Sequence, residues 1–275
     1  MRWFFVLSCG FLFSCSSTSN YSLDSGAAGN WLIVYANHGR LTPGQVVKYQ
    51  PLQDSIVDLY GLKLVQLMQG GSFTEMDSFY VEPGRWDVFQ NKKLLVADAG
   101  QGFSLFVGEF LSLKNGKLKL VQKLVVDHDS LPITWAWKRI EDGEPASKLF
   151  EPSSNEWREK SIASESDAAI KNRLSAMLSY YALYFDLIAA EAVYFLPRRL
   201  ALPFNYYAHS VGMKKPAGIE RFEKCFYSKE NALRAYNILR TAKLNIHEKF
   251  PVEDNYLKEY AAHFIQLKNA LEEPN

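Results

Sequence analysis

Two runs of alternating side chains, 103–113 and 117–127, face each other across Asn115-Gly116. An Asn-Gly pair between such runs specifies a type I′ turn, because both positions accept a positive φ. On the second run Leu118, Leu120, Leu124 and Val126 fall on one face, and Lys117, Lys119 and Lys123 on the other. This period of two belongs to a strand with one apolar face, so any fold of this chain must contain a hairpin whose Leu face is covered. The same grammar fills 29–140. Runs at 31–35, 55–60, 62–68, 73–81, 85–90, 93–97 and 133–140 are separated by turn residues, among them Gly70-Gly71 and Pro83-Gly84. Trp135, Trp137 and Arg139 share one face of the last run. That spacing predicts about eight or nine antiparallel strands, with no helix between them, in a sandwich or barrel.

Gly29-Asn30-Trp31 opens the series, Gly84-Arg85-Trp86-Asp87-Val88 followed by Lys93-Leu94-Leu95 occupies its middle, and Arg139 closes it. This combination resembles bacterial lipocalin-like lipoprotein domains. The resemblance implies an up-and-down β-barrel over 29–141. It also implies a structural pair in which Trp31 packs across the barrel end against Arg139, and a calyx that binds a small apolar ligand. An eight-stranded barrel either encloses such a cavity or is filled by its own side chains, and both alternatives stand.

The period changes after residue 141. The stretch 142–166 is polar, carries Pro145 and Pro152, and reads as a loosely packed linker. Ser164 to Asp167 offers candidate N-caps for a long helix running to about residue 196, before Pro197. Its 174–196 portion is apolar enough to raise a membrane span. Asp186 and Glu191 inside it, each disfavoured by about 3 kcal/mol at a bilayer centre, argue instead for the buried helix of a bundle. Two more amphipathic helices are expected. One spans 228–249, capped by Ser228, with Leu233, Tyr236, Leu239 or Arg240, and Leu244 as its apolar stripe. The other spans 253–271, with Tyr256, Leu257, Tyr260, Phe264 and Leu267. The expected fold class is therefore α+β in two domains, an antiparallel barrel and then an α-helical domain over 167–272.

The N-terminus reads as an address. A basic Met1-Arg2 start precedes the apolar run 3–13, too short to span a bilayer and shaped like a secretory signal over 1–14. It ends on Leu12-Phe13-Ser14-Cys15, which resembles the lipobox of bacterial lipoproteins. The resemblance implies that Cys15 becomes the N-terminus and carries a diacylglycerol thioether and an amide-linked acyl chain such as palmitate. With Ser16 following, it further implies an outer-membrane address in the bacterial envelope. The Ser/Gly/Asn-rich 15–28 reads as a flexible tether. Of three cysteines Cys9 leaves with the signal, so Cys225 alone remains beside Cys15 and an intramolecular disulfide is not expected.

Composition excludes more than it selects. Loss of Arg2 leaves the mature chain balanced, 30 Lys+Arg against 30 Asp+Glu, from totals of 31 and 30. Such a chain has no global field to recruit nucleic acid. Catalytic motifs are lacking: Gly100-Gln101-Gly102 has no third glycine, and Pro251 breaks the zinc spacing that His247-Glu248 would begin. Asp127-His128-Asp129 reads as a surface loop, His209 and His263 as isolated side chains, and Cys225 as a packed thiol. No cofactor, metal or catalytic group is expected.

One polar constellation stands out on the long helix. Tyr180, Tyr184, Leu187, Glu191, Tyr194 and Arg198 fall on a single stripe. Tyr184, Glu191, Tyr194 and Arg198 either line a pocket between bundle and barrel or form an internal ion pair, Glu191 with Arg198, bridged by phenols. The functional expectation is a lipid-anchored envelope protein that binds a small apolar ligand or a protein partner. The alternatives are an accessory subunit of an envelope assembly, docking through its helical domain, and a hydrolase of envelope material.

Overall fold

The computed structural model describes residues 26–38, 42–49, 52, 63–76, 81–89, 94–98, 105–126, 129–159, 164–191, 222–244 and 255–272. Eight strands form the first half: β1 (Gly29–His38), β2 (Leu64–Leu67), β3 (Ser72–Met76), β4 (Val81–Phe89), β5 (Leu94–Asp98), β6 (Leu105–Lys114), β7 (Lys117–Val126) and β8 (Asp129–Ile140). Each pairs antiparallel with the next, and β8 returns to β1 through Trp31 opposite Arg139, closing an up-and-down barrel. Asn115 (φ 51) and Gly116 (φ 67) turn β6 into β7 with the positive dihedrals that their sequence requires.

Pro83-Gly84 does not end a strand. The chain turns earlier, after Met76, and β4 runs through both residues. The Trp86 N–H donates to the Gly71 carbonyl on the β3 side. Alternation therefore aims the backbone nitrogen of Pro83 away from β3, toward the β5 side. A proline whose nitrogen points away from a neighbouring strand costs no bond in the ladder with that strand. The expected strand at 55–60 lies outside the described residues. A helix also stands where none was expected: α1 (43–49) lies in the β1–β2 connection. Thr42 and Gln45 form its reciprocal cap, with Thr42 Oγ1 accepting from the Gln45 N–H and Gln45 Oε1 accepting from the Thr42 N–H.

The stretch expected as a loose linker is built into the fold. Three short 3-10 turns, Pro145–Phe150, Pro152–Ser154 and Glu156–Arg158, bury Leu149 and Trp157. Trp157 packs against Tyr180 and Tyr181 of α2 (Asp167–Ala189). Arg158 lies 4.3 Å from both the Trp157 and Tyr180 rings. Ser166 caps α2 by accepting from the Ala169 N–H, and the helix ends at Ala189, short of the expected 196.

Next come α3 (Lys229–Leu244), whose Ser228 accepts from the Asn231 N–H, and α4 (Tyr256–Glu272), where Asn255 accepts from the Leu257 N–H. α3 is rotated from the expected stripe. It buries Ala232, Ala235, Leu239 and Ala242, at helical spacing, and leaves Leu233 exposed. α2 and α4 meet through Phe185 and Phe264, with ring centroids 5.3 Å apart.

The helices and the barrel share a core. Leu32, Leu64, Met76 and Ile140 point out from the barrel wall and join the cluster of Leu174, Tyr181, Phe185 and Phe264. Their strand neighbours Trp31, Ile33 and Val65 point inward. The wall made by β1 and β2 is thus buried on both faces, while β4 to β7 keep the alternation of a sheet with one face in water.

Candidate functional site

The barrel interior is aromatic. Trp31, Phe73, Trp86, Trp135 and Trp137 are buried there, with Phe106 and Phe110 packed on them. Phe106 lies edge-on to Trp135 at 6.0 Å and tilted over Trp137 at 5.3 Å. Gly108 makes this possible, since a Cβ on it would come within 2.6 Å of the Phe106 ring. Leu52, beyond α1, also packs on this cluster, so the β1–β2 connection reaches the interior.

One end is plugged. The Arg139 guanidinium carbon stands 4.7 Å from the Trp31 ring centroid and the group also donates to the Gly26 carbonyl. The Trp31 indole N–H donates to the Ala27 carbonyl at 2.9 Å, and Ala27 and Ala28 are buried in the barrel cluster. The cation–π contact and both hydrogen bonds tie the chain before β1 to the end of β8. The turns at Met68–Gly71 and Asn115-Gly116 lie at this same closed end, as antiparallel order demands.

Polar groups interrupt the aromatic lining. Lys63 and Glu75 form an ion pair on the inward face, with side chains 5% and 7% exposed. Glu75 lies opposite Val65, which fixes its direction. This pair was legible as Lys63 between Leu62 and Leu64, and as Glu75 in step with Phe73, but an apolar reading of those runs passes over it. Gln122 is buried opposite Ile133, and its amide oxygen has no hydrogen-bond partner among the described residues. The same holds for the indole N–H of Trp137. Buried polar atoms are nearly always satisfied, so an unoccupied acceptor and an unoccupied donor inside one barrel mark where a bound molecule or water would attach.

The stripe expected on α2 is described as far as Glu191. Tyr180 and Tyr184 stack at 6.3 Å in the helical core, and Leu187 is buried with them. Glu191, just beyond the helix, does not turn back along it: its carboxylate meets Lys138 at 2.6 Å and Lys117 at 3.4 Å. Both lysines project from the barrel exterior, opposite each other on β7 and β8. Glu191 therefore joins the two halves through Lys138 and Lys117, and the expected Glu191–Arg198 pair falls outside the described residues. Arg198, Tyr194 and Cys15 lie outside the described residues.

A second polar hub holds the helical half. Arg173 pairs with Glu165 at 2.7 Å and donates to the Trp157 carbonyl at 3.0 Å, and Asn231 lies beside the same carboxylate. Cys225 and His263 are buried among the helices. Among the described residues no group of three or more His, Cys, Asp or Glu could hold a metal, and no helix is long and apolar enough to cross a membrane. Compared with known families, curated proteins and solved structures, the chain matches no family model, no curated protein and no solved structure.

Proposed function

We propose that this chain is a lipid-anchored protein of a bacterial envelope whose lipocalin-like barrel holds a small, largely apolar ligand. The observation that carries the reading is the barrel itself: closed all round, plugged at one end by Trp31 and Arg139, and lined with aromatic side chains interrupted by Gln122 and the Lys63–Glu75 pair. Ligand sites are concave, mostly apolar and fitted with a few placed polar groups. The anchor in this reading is Cys15, with an outer-membrane address. Native mass spectrometry of the protein purified from its own membranes tests it. A retained molecule of a few hundred daltons, lost in a Gln122→Leu variant that still folds, is the expected result. A ligand-free barrel refutes it.

A second reading is an accessory subunit that docks through its helices, favoured by Tyr227, Leu233 and Ile265, each at least half exposed on the helical half. A copurifying protein that is lost on Leu233→Asp would select it.

A further inference from the structure

Five large hydrophobic side chains of the barrel strands and turns are exposed among the described residues: Met68, Val81, Phe89, Leu111 and Leu113. They are not scattered. Met68 begins the β2–β3 turn, Phe89 is the last residue of β4, and Leu111 and Leu113 precede the β6–β7 turn, so all but Val81 lie at the closed end. Phe89 is paired with partly exposed Leu94, which continues the patch onto β5. Leu111 stands out because β6 carries an irregularity between Phe110 and Ser112, a device that re-aims a side chain. It is 55% exposed.

The described helices lie elsewhere, against Leu32, Leu64, Met76 and Ile140 on the outer face of β1–β3 and β8, away from Phe89 and Leu111. Lys114 and Lys119 are exposed beside the patch, with Glu109 between Leu94 and Val121. The acidic surface of this end, Glu141, Asp142 and Glu144, follows β8 instead. What the patch does face is set by the chain before β1. Gly26 is fixed to Arg139 at the closed end, and only residues 16–25 separate it from Cys15. Even fully extended, that many residues span no more than about 40 Å. A chain lipidated at Cys15 is therefore tied to the bilayer at the end where its exposed apolar side chains cluster. A tether this short holds the two at high effective concentration, so shallow contacts suffice.

The geometry points to a phospholipid surface as the occupant: the closed end of the barrel, from the β2–β3 turn round to β7, rests on the membrane with Met68, Phe89, Leu111 and Leu113 among the headgroups. The opposite end of the barrel then faces away from the bilayer. This orientation rests on the lipid-anchor reading, and the test separates the two. Leu111→Cys and Val81→Cys are made singly in the full chain, labelled with an environment-sensitive fluorophore, and reconstituted into phosphatidylethanolamine–phosphatidylglycerol vesicles with brominated acyl chains. Cys225 is buried, which keeps it from competing for label. Several-fold stronger quenching at position 111 than at 81 is expected. Equal exposure of both probes to water, or stronger quenching at 81, overturns the orientation. The mass of the N-terminal peptide reports acylation of Cys15 independently. If Cys15 proves unmodified the anchor reading fails, and the same probes on chains mixed with the vesicles still decide whether the closed end meets lipid.

Discussion

The Lys63–Glu75 pair inside the barrel provides a quantitative test of how the interior is held. Both side chains are almost fully removed from water and their charged groups are in contact. The mutual attraction roughly balances the desolvation of two ions, whereas removing one partner takes this contact from the other's buried charge, a loss of up to about 3–5 kcal/mol. Glu75→Leu and Lys63→Met should each destabilise by about that much. For a chain of this length, at about 2–4 °C per kcal/mol, the melting temperature should fall by roughly 6–20 °C. The double variant replaces the pair with apolar side chains of similar size and should recover most of the loss, ending within about 1–2 kcal/mol of the parent. Urea unfolding followed by tryptophan fluorescence is the assay, because Trp86, Trp135 and Trp137 line the same interior. The reasoning fails if either single change costs less than about 1 kcal/mol, or if the double variant loses the sum of the two singles.

Other positions carry tests of their own. Gly108→Ala should destabilise the barrel by about 1–3 kcal/mol, because its methyl would sit 2.6 Å from Phe106 and 3.2 Å from the Leu120 Cβ; adding Phe106→Leu should restore part of the loss in the same urea titration. Arg173→Ala strands Glu165, 8% exposed, beside Asn231, and should cost the helical half about 3 kcal/mol or more in calorimetry. Glu191→Gln should cost only about 1 kcal/mol, since Lys138 and Lys117 are 25% and 54% exposed and water screens the pair. Because Leu32, Leu64, Met76 and Ile140 belong to the helical core, thermal unfolding should be one transition in which far-UV circular dichroism and tryptophan fluorescence coincide. Two separated transitions, or a protease fragment of 29–141 that stays folded, would show the halves to be independent.

Alternation and turn chemistry made most of the barrel legible. Asn115-Gly116, the Leu118/Leu120 face and the Trp135/Trp137/Arg139 face all occupy the positions that a period of two assigns. The errors came where local chemistry and pairing disagree. Pro83-Gly84 is a strong turn signal, but whether a proline ends a strand depends on which neighbour its nitrogen faces, and that is set by the pairing of β4 with β3, which the local sequence does not carry. On α3, Leu233 outranks Ala232 by hydropathy, yet the buried stripe runs through Ala232, Ala235, Leu239 and Ala242 and leaves Leu233 in water. Trp157 was in plain sight within a polar stretch, and a lone tryptophan there is a reason to expect burial rather than a loose connection. The partners of Glu191 could not be read at all, because Lys117 and Lys138 come from strands distant in sequence and are brought together only by barrel closure.

The seam between β1 and β8 also bears on when this fold can exist. Every other barrel pairing joins strands consecutive in the chain, but Trp31 must wait for Arg139, the far end of the eighth strand. Local hairpins such as β6–β7 can form early, whereas contacts of long sequence separation form late because loop closure must come first. A chain crossing a membrane from its N-terminus would therefore emerge with β1 unpaired along its β8 edge until nearly all of the barrel had followed. That strand is apolar on both faces, and during this interval it is the segment most exposed to misassociation. A holdase acting on the emerging polypeptide would find its principal target there, between Gly29 and His38.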